Sequence, residues 1–355
     1  MKGRFVIRGI LVNFAQFDRF PAVFDGIESQ VEGKRVRSTG AADAPAAIRA
    51  KAKELILLQV GMFGETTMPI NVDVLASLRG IQRSEELPLH SPDAELVPDG
   101  RGGVTMRVNP DRPDTRQRFS VAHEISHTFF PDYETKAWCR TDARYRNRND
   151  PDDFLEMLCD IAAAELLLPD PWFSTDAAAV TSAQGLSDLA SNYRASREAT
   201  ARRYAELNPS AVTAVFFSWK LKPTQHGTVG REDQFNLFGI TAAEEIRDAL
   251  KLRIEYCVAS PSFTGEGHFL PKDKSIENIG PIYAAASTGR PAEGECHLDL
   301  SQASGTYRVW AIPLWTPDKQ LGAKGENAVV AVLRPITVRQ PKKKQKQSGP
   351  GLFGE

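Results

Sequence analysis

Long apolar runs are missing from this sequence. No stretch approaches the ~18 consecutive apolar residues of a membrane-spanning helix, so no partnership with a bilayer is expected. The first twenty residues, MKGRFVIRGILVNFAQFDRF, bring in Arg8, Asn13, Gln16 and Asp18 before a secretion signal's apolar stretch can form. A cytoplasmic location follows as the expectation. Cysteine is sparse: Cys139, Cys159, Cys257 and Cys296 are the four in 355 residues, and none forms a C-x-x-C pair. That excludes a disulfide scaffold and suits free thiols in a reducing compartment. Charge of one sign is not in excess either. The net charge is −1, so any nucleic-acid contact must come from a local patch rather than a global field.

What remains is an ordinary globular composition, 41% hydrophobic and 25% charged, in a chain long enough for two or three domains. Residues 1–44 read as an N-terminal extension, with a strand over Phe5 to Val12 and a polar stretch from Glu28 to Asp43. From Pro45 the pattern turns helical, with Ile48, Ala52, Leu55 and Ile56 at three- and four-residue steps. Gly61 and Gly64 end that helix, and a short helix follows Pro69. Val104, Met106 and Val108 alternate with Thr105, Arg107 and Asn109, which predicts a half-buried strand. Arg116 to Phe130 reads as a helix stopped by Pro131. Asp150-Pro151-Asp152-Asp153 is a helix start, with an Asp cap, Pro in the first turn and acids at the positive end of the dipole. That helix ends at Pro169.

Residues 186–207 read as two short helices with helix-turn-helix spacing. From Val212 the character changes to strands: AVTAVFFSW, LRIEYCVAS, TYRVWAIPLW and NAVVAVLRP, with one helix ending at Thr288-Gly289. The expected division is an extension at 1–44, an α-rich domain with a small sheet at 45–180, a helical segment at 181–210, an α/β domain at 211–336 and a basic tail at 337–355. The fold class is α+β.

The chemistry sits in FSVAHEISHTFF. His123 and His127 are four apart, on one face of a helix, where two imidazoles can reach a single Zn²⁺. Glu124 can lean over the open side, take a proton from water and return it to a leaving amine. Such a pair also arises by chance on amphipathic helices. Here Phe119, Val121, Phe129 and Phe130 flank it, so the helix is expected to be buried, and buried polar side chains need partners. A catalytic zinc needs a third protein ligand. No H-x-x-G-x-x-H follows, which excludes the metzincin arrangement. The next helix offers Glu156 as third ligand. Asp160 lies one turn on as a candidate to orient a His ring through its second nitrogen. Ala162 to Ala164 are small enough for close helix approach, and Glu165 is the fallback ligand.

RQRFSVAHEISHTFF and EMLCDIAAAELLLP together resemble the ImmA/IrrE family of zinc metallopeptidases. In that family the second segment supplies the third zinc ligand from its leading Glu and ends L-L-x-P. This chain has Cys159-Asp160 where Ala-Asn is usual. The resemblance implies a zincin-like domain, a Zn²⁺ cofactor and cleavage of a partner helix-turn-helix (Xre-type) repressor, which releases stress, DNA-damage or anti-phage genes. The Val104–Asn109 strand would help if it were a sheet edge, because an extended substrate could add to it. IGPIYAAASTGRPAEG, YRVWAIPLWTPDKQLG and NAVVAVLRP resemble the second half of a GAF domain, which implies a sensor for a small molecule or another signal. Lys342, Lys343, Lys344 and Lys346 form the one dense basic run, a solubilising tail or a salt-sensitive contact to single-stranded DNA. Cys139, between the two metal motifs, is a candidate inhibitory fourth ligand. The competing reading is a non-catalytic repressor- or DNA-binding regulator with a structural zinc.

Overall fold

The computed structural model describes residues 4–7, 10–13, 44–64, 68–86, 92–99, 103–131, 133, 138–139, 150–225, 242–300, 304–314 and 328–338. The basic run at Lys342–Lys346 lies outside them. Contacts divide the chain into two compact units, residues 1–173 with 192–196, and residues 174–191 with 197–355.

In the first unit, β1 (Arg4–Ile7) and β2 (Ile10–Asn13) pair antiparallel where one strand is predicted from sequence. Helix α1 (Ala44–Phe63) buries Ile48, Ala52, Leu55 and Ile56, the residues whose spacing predicts it. It stops at Gly64, whose φ of 87° is open to a residue without Cβ. Helix α2 (Val72–Leu78) is capped by Asn71, whose side chain accepts from Asp73 N and Val74 N.

Strands β3 (Ile81–Glu86), β4 (Ala94–Pro98), β5 (Val104–Val108) and β6 (Trp138–Cys139) form one sheet in the order β3-β5-β4-β6. Val104, Met106 and Val108 are buried, as the alternation requires. Asn109 is not the strand's last outward residue. It is buried and turns the chain, its Oδ1 accepting from Asp111 N. Nor is the strand a sheet edge open to an added substrate: β5 lies inside the sheet, parallel to β3 and antiparallel to β4. The outer side of β4 pairs with β6, through Glu95 with Cys139 and Leu96 with Trp138.

Two helices complete this unit, α3 (Asp114–His127) and α4 (Pro151–Leu167). Asp150 caps α4, accepting from Asp152 N at 3.0 Å. The helices pack directly on each other, burying Val121, Ala122 and Ile125 of α3 and Leu158, Cys159, Ala162 and Ala163 of α4. The alanines let the backbones approach, so side chains of one helix reach the polar groups of the other.

Helix α5 (Trp172–Ala178) follows α4 in sequence. In the second unit, α6 (Ala183–Asn192) and α7 (Arg197–Leu207) are the predicted helical pair. The sheet behind them is β7 (Thr213–Lys220), β8 (Lys251–Ala259), β9 (Ala292–Asp299), β10 (Ser304–Leu314) and β11 (Ala328–Val338), all antiparallel, in the order β8-β7-β11-β10-β9. Short helices α8 (Ala242–Ala249) and α9 (Pro261–Gly265) flank β8, and α10 (Gly280–Thr288) precedes β9.

Helix α7 lies on one face of this sheet. Tyr204 meets Trp310 at 6.1 Å between ring centroids, and the Arg334 guanidinium sits 4.4 Å from the Trp310 ring centroid. The second helix of the pair is therefore part of the sheet's cover. Val309 and Ala311 alternate with Trp310 and point to the opposite face, where Ile282, Ala285 and Ala286 of α10 join Leu298, Ala331 and Leu333 in one core. Among the described residues, no helix is long and apolar enough to cross a membrane.

Candidate metal centre

The chain is buried continuously from Ser120 on helix α3 to Phe130, three residues past its end. His123, Glu124 and His127 have no exposed surface at all, which a buried helix permits only if other groups complement them. The helix is tied at both ends. Near its start, Arg112 Nε and Arg116 Nε donate to the two oxygens of Asp93, at 2.7 and 2.6 Å. At its end, Arg79 donates from Nε to Thr128 Oγ1 at 2.8 Å and from Nη2 to the Thr128 carbonyl, one residue past His127. Burial pulls the Arg79 pKa below the usual guanidinium range. Neither Asp93 nor Arg79 stands out in the sequence, because each is an isolated charge far in sequence from the helix it holds.

The complement comes from α4. Glu156 presents Oε2 to His123 Nε2 at 3.1 Å and Oε1 to His127 Nε2 at 3.5 Å. One carboxylate thus faces the same nitrogen on both rings, and the rings stand edge to face with centroids 5.0 Å apart. Asp160 reaches the other side of His123, Oδ1 to Nδ1 at 2.9 Å. Cys159 reaches the other side of His127, Sγ to Nδ1 at 3.5 Å. Glu156, Cys159 and Asp160 occupy positions i, i+3 and i+4 of one helix, so one turn of α4 meets both imidazoles on both sides.

The structure therefore brings His123, His127, Glu156 and Asp160 together. The fallback Glu165 is buried but engaged elsewhere, accepting from Asp170 N at 3.2 Å with Lys53 Nζ 3.9 Å away. Cys139 is placed only through its backbone pairing with Glu95; its side chain lies outside the described residues. The Cys159 contact has no sequence signal, since a cysteine in an apolar helix reads as a small core residue.

The electrostatics favour a cation. Burial depresses the His123 imidazole, but hydrogen bonds to Asp160 and Glu156 and the charges of Asp160 and Glu124 outweigh it and push its pKa up to about 9. The same field would act on any positive charge between these rings. Two imidazole nitrogens and a carboxylate oxygen, buried in such a field, fit Zn²⁺. His123, His127 and Cys159 also form a group whose potential ligand atoms lie within 4.8 Å of one another. The two triads disagree over His127: Glu156 faces its Nε2 and Cys159 its Nδ1. One ion cannot be bound by both nitrogens of a ring. The Glu156 triad uses Nε2 on both rings and is the coherent choice.

Residues 85–204 match the family model described as Peptidase_M78, IrrE N-terminal-like domain. This stretch of the chain is an IrrE N-terminal-like domain. It contains α3 and α4 whole, and so every residue of the centre, and it carries a metallopeptidase-type fold. A Mycobacterium tuberculosis transcriptional regulator of known structure aligns with 88% of this chain and 80% of its own, at 10% identity and a TM-score of 0.47. That likeness is too slight to carry an argument. No curated protein matches.

The Asp160 contact has a measurable consequence. Asp160→Ala should lower the His123 pKa in the metal-free protein, followed by ring-proton chemical shifts. It should also weaken zinc binding by roughly 10–100-fold, the usual effect of losing a carboxylate behind a ligating histidine.

Proposed function

We propose that this chain is a zinc-dependent, site-specific endopeptidase that cuts a partner helix-turn-helix repressor and so releases stress, DNA-damage or anti-phage genes. The observation that carries the reading is the Glu156 carboxylate facing Nε2 of both His123 and His127, with Glu124 buried one residue after the first. His123, His127 and Glu156 would hold the ion. Zinc so bound supplies Lewis acidity to the scissile carbonyl and acidifies water. Glu124 accepts the proton of the attacking water and passes it to the leaving nitrogen. Asp160 fixes the His123 ring so that Nε2 keeps its lone pair for the metal. The repressor substrate rests on the family resemblance of the IrrE-like domain.

The proposed organisation keeps a peptidase domain at 45–180, a helical segment at 181–210 and a GAF-like sensor at 211–336 that controls the peptidase, in a cytoplasmic protein. The sensor reading is supported by α10 ending at Thr288 before Gly289, at φ 67°, and by Ile312-Pro313-Leu314 closing the strand before the last one. Its activator would be a small molecule or single-stranded DNA.

A second reading keeps zinc but makes it structural, and the Cys159 sulfur beside His127 favours it, because His123, His127 and Cys159 carry potential ligand atoms within 4.8 Å of one another and could hold the ion in place of the Glu156 triad. Against it stands Glu124, since a structural site has no use for a buried carboxylate between its two histidines. One assay separates the readings. Protein purified without chelator should contain one zinc per chain, and a helix-turn-helix repressor encoded beside it should yield two fragments on incubation. Zinc at full stoichiometry with every such repressor intact would leave the structural reading standing.

A further inference from the structure

The two imidazoles of the centre are backed unequally. His123 has a carboxylate behind it, with Asp160 Oδ1 at 2.9 Å from Nδ1. His127 has a sulfur behind it, with Cys159 Sγ at 3.5 Å from Nδ1. Cys159 is fully buried, sits one residue before Asp160 and points at the second histidine from the same helical turn. A histidine that gives one ring nitrogen to a metal carries its proton on the other, and that N–H needs an acceptor.

We propose that Cys159 is the positioning residue of His127: its sulfur accepts the Nδ1 hydrogen bond and holds the tautomer that turns the Nε2 lone pair towards Glu156. The inference rests on the zinc reading and deepens it. The sulfur is not a ligand, because it lies on the Nδ1 side of a ring whose Nε2 faces the carboxylate. Thiol sulfur is a weak acceptor, so His127 is the more softly held of the two ligands. The Cys159-Asp160 pair thus makes the centre asymmetric, with a carboxylate behind one arm and a polarisable sulfur behind the other.

The test uses the full chain loaded with Zn²⁺, and separately with Co²⁺, as wild type, Cys159→Ser, Cys159→Val and Cys159→Ala. Chelator competition should show the valine and alanine variants binding zinc about 10–100-fold more weakly. Serine keeps an acceptor and should lie closer to wild type than to valine. The cobalt d–d absorption should shift in the valine variant and hold in the serine variant. Should valine disrupt folding, seen by circular dichroism, the serine-to-alanine comparison carries the same information. Equal zinc affinity in valine, or in alanine, and wild type overturns the proposal while leaving the zinc reading intact. A sulfur-to-cobalt charge-transfer band in wild type that vanishes in Cys159→Ser also overturns it, by making the sulfur a direct ligand. A wild-type protein that takes up no metal removes the zinc reading and this inference together.

Discussion

Glu124→Gln should leave one zinc per chain in place and reduce repressor cleavage by about 10²–10⁴-fold, the range that a positioned general base contributes. The substitution keeps the size and most of the polarity of the side chain. It removes only the ability to accept and return a proton. Because Glu124 is fully buried on α3 between the two histidines, a larger change would risk the helix itself. Glutamine confines the effect to chemistry. The Glu124 carboxylate charge is also one of those raising His123, so the variant should show a lower His123 pKa in the metal-free state. Activity is followed by fragment appearance and metal by elemental analysis of the same sample. Loss of both together would mean that Glu124 acts through metal retention, and the general-base role would fall.

The second large effect is expected at Glu156. Glu156→Ala removes the carboxylate facing both Nε2 atoms, and zinc affinity should drop by more than the ~100-fold seen when only an outer partner is lost. Stability shows this as well. A ligand that binds only the folded state stabilises it by about 2.7 kcal/mol at 100 times its dissociation constant. Wild-type protein should therefore melt higher with added zinc, and Glu156→Ala should not respond. Glu165→Ala is the control that decides between the two acids of α4. It leaves Asp170 N without its acceptor. It should cost about 0.5–1.5 kcal/mol through that half-buried hydrogen bond, with the zinc-induced shift preserved. A zinc response lost in Glu165→Ala and kept in Glu156→Ala would reverse the ligand assignment.

The parts of this molecule that could be read from sequence were those set by local pattern. The four-residue step of His123 and His127 needs only a helix. Asp150-Pro151 announces the start of α4, and Glu156 follows on its first exposed-looking turn. The strand at Val104–Val108 shows itself by alternation. Its place in the sheet does not, because that depends on which segments pair with it, and β3 (IQRSEE) has no apolar alternation to advertise a strand. Strand β9 (AEGECHLD) was invisible for a similar reason: it is mostly exposed, so its pairing is held by backbone hydrogen bonds rather than by a hydrophobic face. The Arg79 and Asp93 anchors and the Cys159 contact belong to a third class. Each joins residues 19 to 49 positions apart in sequence, and composition carries no trace of such a meeting. Asp160 was legible only because a histidine ligand asks for a partner, and one turn beyond Glu156 is where a helix can supply it.

Three side chains on one turn of α4 hold two rings on α3, so a single coordinate, the roll of α4 about its own axis, sets all of them at once. Neighbouring residues of a helix differ by about 100° in direction, and even a fraction of that rotation would detune Glu156, Cys159 and Asp160 in concert. Substitutions at these positions should therefore be strongly non-additive, the second costing less than the first because the roll is already released. By the same coupling, substitutions at Leu155 and Leu158, both buried on this helix, should alter the candidate centre from a distance.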